Sequence, residues 1–193
     1  MPNKLLMTNF VVDLLQDNIP LCYYYHNYDH TLYVQEKAIE IGRHENCTDK
    51  EIELLSAAAL WHDTGYINTY KNHEEESCVL AKKYLTEYGF TPGEIDTICG
   101  MIMATKVPQL PKNKLEEIIA DADLEYLGTP SAAIKSEDLF LELQSLNPSF
   151  TKKAWDQIQI SFLRSHHYFT AYCKTKRELA KDNYLKELIK AEG

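Results

Sequence analysis

Glycine and proline are scarce in this chain, seven of each in 193 residues. That shortage excludes folds built on many tight turns and favours long helices. Arginine is scarcer still, with Arg43, Arg164 and Arg177 the only three. Lysine and arginine together number 20 against 29 acidic residues, a net charge of −9. A nucleic-acid polymer needs a basic surface, so it is excluded as the main partner. A small anionic substrate stays compatible, because a bound cation reverses the local field. The five cysteines, Cys22, Cys47, Cys78, Cys99 and Cys173, are odd in number and never spaced as CxxC. This excludes a disulfide frame or a zinc ribbon and is the pattern of reduced, mostly buried thiols in a cytoplasmic protein. Long apolar runs are missing too. The stretch from Met1 to Ile19 is interrupted by Asn9 and Asp13, too polar for a signal peptide or a membrane span.

What the chain has in quantity is helix punctuation. Leu5, Leu6, Phe10, Leu14 and Leu15 recur at helical spacing, which predicts a packed first helix. Thr48-x-x-Glu51 is a capping-box pattern before the apolar run Ile52 to Trp61. Asn72 with Glu75 is a weaker version before Val79 to Tyr88, and Thr91-Pro92-Gly93-Glu94 is the clearest. Asn113 predicts a helix from Lys114 to Leu127, with Gly128 as its stop. Further helices are expected from about Ser131 to Leu146, from Thr151 through Phe162, and from near Tyr168 to Lys190. No segment alternates apolar and polar residues for long; Tyr23-Tyr24-Tyr25 has strand-like composition but is short. The expectation is an all-α, single-domain bundle of roughly eight helices over residues 1–193.

Three polar clusters interrupt these apolar helices. The first is Tyr25-His26-Asn27-Tyr28-Asp29-His30; a helix would put its two histidines, four residues apart, on one face, and with Asn27 as the cap His30 lies in the first turn and His26 just before it. The second is His62-Asp63, closing the run Ala57-Ala58-Ala59-Leu60-Trp61 and followed by Thr64-Gly65. The third is Asp121-Ala122-Asp123, set between Ile118-Ile119-Ala120 and Leu124. Carboxylates inside such a run carry a large desolvation cost unless they are paired or bound to a cation. Together the clusters offer imidazoles and carboxylates suited to a divalent metal, Mn, Fe, Zn, Co or, less firmly, Mg. A metal that activates water is the usual machinery for hydrolysing phosphate esters. Each cluster alone is ordinary; a His-Asp pair is commonly just hydrogen-bonded, and a Tyr-His-Asn turn is commonly just a capped helix start.

The combination of Tyr25-His26-Asn27 and His30-Thr31, then a small-residue helix ending in His62-Asp63-x-Gly65, then Ala122-Asp123-Leu124, resembles the HD-domain metal-dependent phosphohydrolase superfamily. The resemblance covers about residues 21–128 and leaves 131–193 as C-terminal helices. It implies the HD/phosphodiesterase type of helical bundle. It implies one divalent metal ion held by His30, His62, Asp63 and one of Asp121 or Asp123, with Asp123 favoured by its Ala-Asp-Leu context. The Tyr25-His26-Asn27 segment is similar to that of cyclic-nucleotide phosphodiesterases, in which the first histidine is the general acid, and this implies that role for His26. Those phosphodiesterases carry a further histidine after the doublet, where this chain has Thr64-Gly65-Tyr66.

His73 and Glu74 are candidates for a second metal or for groups behind the first. A second metal is the weaker option, because Met101-Ile102-Met103-Ala104-Thr105-Lys106 lacks the extra histidine usual in multi-metal relatives. Lys106 and Arg164 are candidates for binding phosphate, and Tyr66, like Tyr70, for stacking on a base. His166-His167 is either a separate metal site or, more commonly, packing. The functional expectation is hydrolysis of a phosphate ester or anhydride of a small molecule, a nucleotide first, with Asp63 both ligating metal and accepting a proton. The alternative is a non-catalytic metal- and nucleotide-sensing domain. An aromatic-rich helical surface also permits a homo-oligomer.

Overall fold

Local capping chemistry sets where the helices begin. The computed structural model describes residues 2–192, with side chains from 5 to 191. Its first helix, α1 (Pro2–Asn18), lays Met7, Val11 and Leu15 into the core. Helix α2 (Tyr28–His44) is capped by Asn27, whose side chain accepts from the backbone N–H of Asp29 and His30. Helix α3 (Asp49–Trp61) starts at the reciprocal Thr48–Glu51 box, and α5 (Pro92–Ala104) at the matching Thr91–Glu94 box. Between them lie a 3-10 turn (Thr64–Ile67), helix α4 (His73–Tyr84) and a second 3-10 turn (Leu85–Tyr88). Asn113 caps α6 (Lys114–Asp123) by accepting from Leu115 and Glu116 N–H groups. The chain continues through α7 (Ala132–Leu146), α8 (Lys152–Ser165), α9 (Ala171–Lys176) and α10 (Glu178–Glu192). Among the described residues the fold is all-α, with ten α-helices and no strand.

Three local expectations need correction. Asn72 does not cap α4 with its side chain; its backbone is left-handed, with φ 57°, and its Oδ1 accepts from Lys106 Nζ instead. The helix begun at Asn113 stops at Asp123, four residues short of Leu127. Tertiary contact overrides the helical period there: the Tyr168 hydroxyl donates to the carbonyls of Leu124 and Glu125, and the chain tightens into a 3-10 turn (Glu125–Gly128). The last stretch is two helices, not one. Thr170 caps α9, which ends at Lys176, and Arg177 just past it turns inward to pair with the fully buried Glu125.

Helix α3 is the hub. Ala57, Ala58 and Ala59 are wholly buried, and their small side chains let α2, α5 and α6 approach closely. Trp61 stacks on Tyr84, with ring centroids 5.7 Å apart, and meets Phe10 of α1. The core cluster therefore lies around α3, and it fixes the end of that helix, where His62 and Asp63 follow.

Candidate metal centre and substrate cavity

Four side chains converge from three helices. His30 comes from the first turn of α2, His62 and Asp63 from the end of α3, and Asp123 from the last residue of α6. His30 Nε2 lies 3.1 Å from Asp123 Oδ1 and 3.5 Å from Asp63 Oδ2. His62 Nε2 lies 3.2 Å from Asp63 Oδ2 and 3.6 Å from Asp123 Oδ1. One ligand atom each from His30, His62 and Asp123 fits within 4.8 Å, close enough for one ion. Adjacent residues diverge by about 100° on a straight helix, so His62 and Asp63 can share a target only at a helix end. Asp63 has left the helix, with φ −106° and ψ 4°.

The orientation of His62 is fixed from behind. Its Nδ1–H donates to the Ala59 carbonyl at 2.7 Å, which leaves the Nε2 lone pair facing the carboxylates. Both His62 Nε2 and Asp63 Oδ2 are buried and have no hydrogen-bond partner among the described residues. They are near enough to attract one another but are not aligned to bond. Two facing orphan ligand atoms in a buried site fit a cation that accepts both lone pairs. The charge state agrees. Burial alone would favour neutral carboxyls, but His62 and His73 hold Asp63 well below the usual range, and His30 and His62 hold Asp123 at about 2. Burial opposes protonation of His62, yet Asp63 and Asp123 outweigh it and raise its pKa well above the ordinary value. In His30 burial wins and the pKa is lowered. Two ionised carboxylates therefore draw positive charge into the space they share with His30 and His62, as a proton on His62 Nε2 or as a cation that takes that proton's place.

The residues 27–125 match the HD domain family model. The chain belongs to the HD domain family. No curated protein matches it. Two solved structures are similar in fold. One is a predicted HD superfamily hydrolase from an uncultured Thermotogales bacterium, 20% identical, covering 97% of this chain and 91% of that one, with a TM-score of 0.59. The other is Bacillus subtilis YpgQ in complex with ADP, 17% identical, covering 98% and 95%, with a TM-score of 0.67.

Beside these four residues lies a cavity of about 550 Å³. Asp63 and Asp123 line it, as do His26, Tyr66, His73, Glu74 and Lys106. A larger groove, about 760 Å³, runs between α4 and α5 and has no histidine in its wall. His26 sits one residue before the matched segment and is held by Glu142 of α7, far beyond it. His26 Nδ1 is 2.5 Å from Glu142 Oε1, while Glu142 Oε2 accepts from the N–H groups of Tyr25 and His26, both at 3.0 Å. Burial would raise the pKa of Glu142, but these bonds and the His26 charge lower it. The anion fixes the ring with Nε2 towards the Tyr66 hydroxyl, 3.1 Å away.

Tyr66 is itself clamped. Its ring stacks between His26 and His73, with centroids 4.2 and 3.9 Å away. Burial keeps its hydroxyl protonated by raising its pKa strongly. His73 Nε2 is 3.4 Å from Asp63 Oδ1, the oxygen other than the one His30 and His62 approach, and 3.6 Å from Glu74 Oε1. Gly65 permits this arrangement: a Cβ there would lie 2.0 Å from the His73 carbonyl oxygen, so only glycine lets α4 approach.

Two candidates lie elsewhere. Asp121 is fully buried and turned away, accepting from Phe169 N–H at 2.9 Å and from Thr170 N–H and hydroxyl at 2.8 and 2.6 Å. Its lone pairs are consumed by the start of α9. Arg164 is exposed on α8 and does not line the cavity. Lys106 is at the rim, with Nζ 2.6 Å from Glu75 and 3.9 Å from Glu74. Sequence reasoning missed Glu142 and the cavity wall made by Leu139, Trp155, Gln159 and Phe162. A lone glutamate within an amphipathic helix carries no signal by itself; the only hint was the position of Glu142 among apolar neighbours.

Proposed function

We propose that this HD protein is a metal-dependent phosphohydrolase of a small phosphorylated substrate, first of all a nucleotide. One divalent cation, Mn, Fe, Zn, Co or Mg, would be held by His30, His62, Asp63 and Asp123. The observation that carries the reading is the pair of orphaned, mutually facing atoms His62 Nε2 and Asp63 Oδ2 beside His30 and Asp123. When bound, such a cation neutralises phosphate charge and lowers the pKa of water. Asp63 is ionised and has its second oxygen, Oδ1, free to accept a proton or to hold His73. His26 faces the cavity with Nδ1–H anchored on Glu142, so its Nε2 is the atom that hands a proton to a leaving oxygen. Tyr66 aligns that nitrogen through its hydroxyl. Lys106 lies at the rim, where an incoming phosphate can take its ammonium from Glu74 and Glu75.

Support for a nucleotide comes from the aromatic lining, with Tyr25, Tyr66, Tyr70 and Tyr126 in one cavity, and from the ADP bound by the similar YpgQ. No helix among the described residues is long and apolar enough to cross a membrane. The five free thiols suit a reducing compartment, and we assign the protein to the cytoplasm. The test is metal analysis of untagged protein, followed by incubation with a panel of nucleoside mono-, di- and triphosphates and release of phosphate or pyrophosphate. Stoichiometric metal and turnover are expected. Stoichiometric metal with nucleotide binding and no product would replace the enzyme with a sensor.

A further inference from the structure

The cavity has two chemically different ends. The end at the metal centre is polar, with His26, Asp63, His73 and Lys106. The far end is walled by Leu127, Leu139, Trp155 and Phe162, and carries one amide, Gln159. All but Leu127 of these belong to α7 and α8, and all five lie outside the segment matched to the HD family.

Gln159 is 4% exposed, and its amide is fixed. Nε2 donates to Ser136 Oγ and, at 3.0 Å, to the Tyr184 hydroxyl. Trp155 Nε1 donates to the same Ser136 oxygen at 3.1 Å, so ring and amide are held as one unit. These bonds leave Gln159 Oε1 buried without a partner among the described residues. An unpaired acceptor in an apolar wall is unfavourable, and a leucine would fill the same place without that cost. A ligand N–H is the partner that would remove it when binding opens the cavity wall over this atom, which has no accessible surface in the free protein.

We propose that this end of the cavity binds the nucleobase of the substrate, with the heterocycle against Trp155 and Phe162 and a base N–H donating to Gln159 Oε1. The proposal rests on the phosphohydrolase reading and adds what recognises the part of the substrate away from phosphate. An alkyl phosphate would fill the apolar wall but leave Oε1 unpaired. A sugar phosphate would leave the aromatic rings wet. Every nucleobase carries an N–H donor, so Gln159 distinguishes base from no base, and not one base from another.

The test compares ATP with inorganic tripolyphosphate at saturating Mn²⁺, in wild type, Gln159→Leu and Phe162→Ala, each checked for folding by thermal melting. In wild type kcat/KM is expected to favour ATP. The ATP-to-tripolyphosphate ratio should fall roughly tenfold in each variant, mainly through KM for ATP, the size expected of one hydrogen bond or one stacked ring. A binding arm needs no turnover: ADP should quench the fluorescence of Trp155, the quench should vanish in Trp155→Phe, and Gln159→Leu should raise the ADP Kd roughly tenfold. An unchanged ratio and unchanged ADP affinity in two folded variants would overturn the proposal. So would a wild type that treats ATP and tripolyphosphate alike, or one that prefers a prenyl phosphate. Gln159-dependent ADP binding without hydrolysis of any phosphate would support this base site and remove the phosphohydrolase reading instead.

Discussion

The segment from His26 to Asp123 and the helices after it use buried polar groups in opposite ways. In the first region two ligand atoms meet with their valences open: His62 Nε2 and Asp63 Oδ2 have no partner, while beside them only His30 and Asp123 bond to each other, at 3.1 Å. In the second region most buried polar groups close on each other or on the core. Thr170 and Phe169 satisfy Asp121, Arg177 satisfies Glu125, and Lys181 sits between Glu178 and the His166 carbonyl. Buried groups that are satisfied hold a fold together, whereas buried groups left open await something. Asp121 and Asp123, two residues apart on α6, face opposite ways: Asp121 closes on Thr170, and Asp123 faces the imidazoles of His30 and His62.

Substitutions at the centre break the comparison hardest. His62→Ala should abolish stoichiometric metal, read by elemental analysis, and lower turnover by at least about 10³-fold, since the proposed water activation depends on the ion. Retention of one ion per chain and of full turnover in that variant would end the metal reading. Asp121→Ala should do the reverse. It strands two N–H groups and a hydroxyl in the interior and should cost about 2–4 kcal/mol in denaturant unfolding, while metal per folded chain is unchanged. Metal loss from folded Asp121→Ala would show that α9 supports the centre or that Asp121 ligates it.

Much of this is legible in the sequence because it is local. Caps at Asn27, Thr48, Thr91 and Asn113 are readable from neighbours three residues away, and each forms. Donor residues inside apolar helices mark the three clusters, but only the resemblance to the HD family picks out His30, His62, Asp63 and one of Asp121 or Asp123 from them. Where tertiary contact decides, the sequence is mute. The end of α6 depends on Tyr168, 44 residues away, and the choice between Asp121 and Asp123 depends on which one Thr170 reaches. Arg164 is attractive as a phosphate ligand in composition, but its place on α8 turns it to solvent. Glu142 was invisible because its meaning comes from His26, 116 residues earlier.

Glu142 is also the place where the second region reaches into the first, so it sharpens the contrast. Glu142→Gln keeps the shape of the side chain but removes the charge that orients His26. Turnover should fall roughly 10–100-fold, as for other groups that orient a reacting residue, with metal content retained. The acid limb of the pH profile of kcat should change at the same time, because the Glu142 carboxyl, held below the usual carboxylate range in the wild type, is no longer there to titrate. A uniform loss of activity with an unmoved profile would instead mark Glu142 as structural.

The smallest expected effect concerns the other histidine pair, His166-His167. A cation site there is disfavoured by Lys181, whose ammonium donates to the His166 carbonyl at 2.7 Å and lies 3.5 Å from His166 Nδ1. Burial, and then Lys181, push the His166 pKa down to about 4. The folded protein therefore keeps this ring neutral at a pH where the unfolded chain, with a value near 6.5, is already binding a proton. Its contribution to stability is fully present above pH 6.5 and is lost as pH falls from there to about 4. A shift of this size supports at most about 3 kcal/mol, and partial contact with water cuts it to about 1 kcal/mol. Subtracting the unfolding free energies of His166→Asn from those of wild type at each pH isolates this residue from the titration of the His30, His62, Asp63 and Asp123 cluster. The difference should fall by about that amount between pH 7 and 4. A flat difference would mean that His166 is as easily protonated folded as unfolded, and the objection to a cation beside it would lose its force.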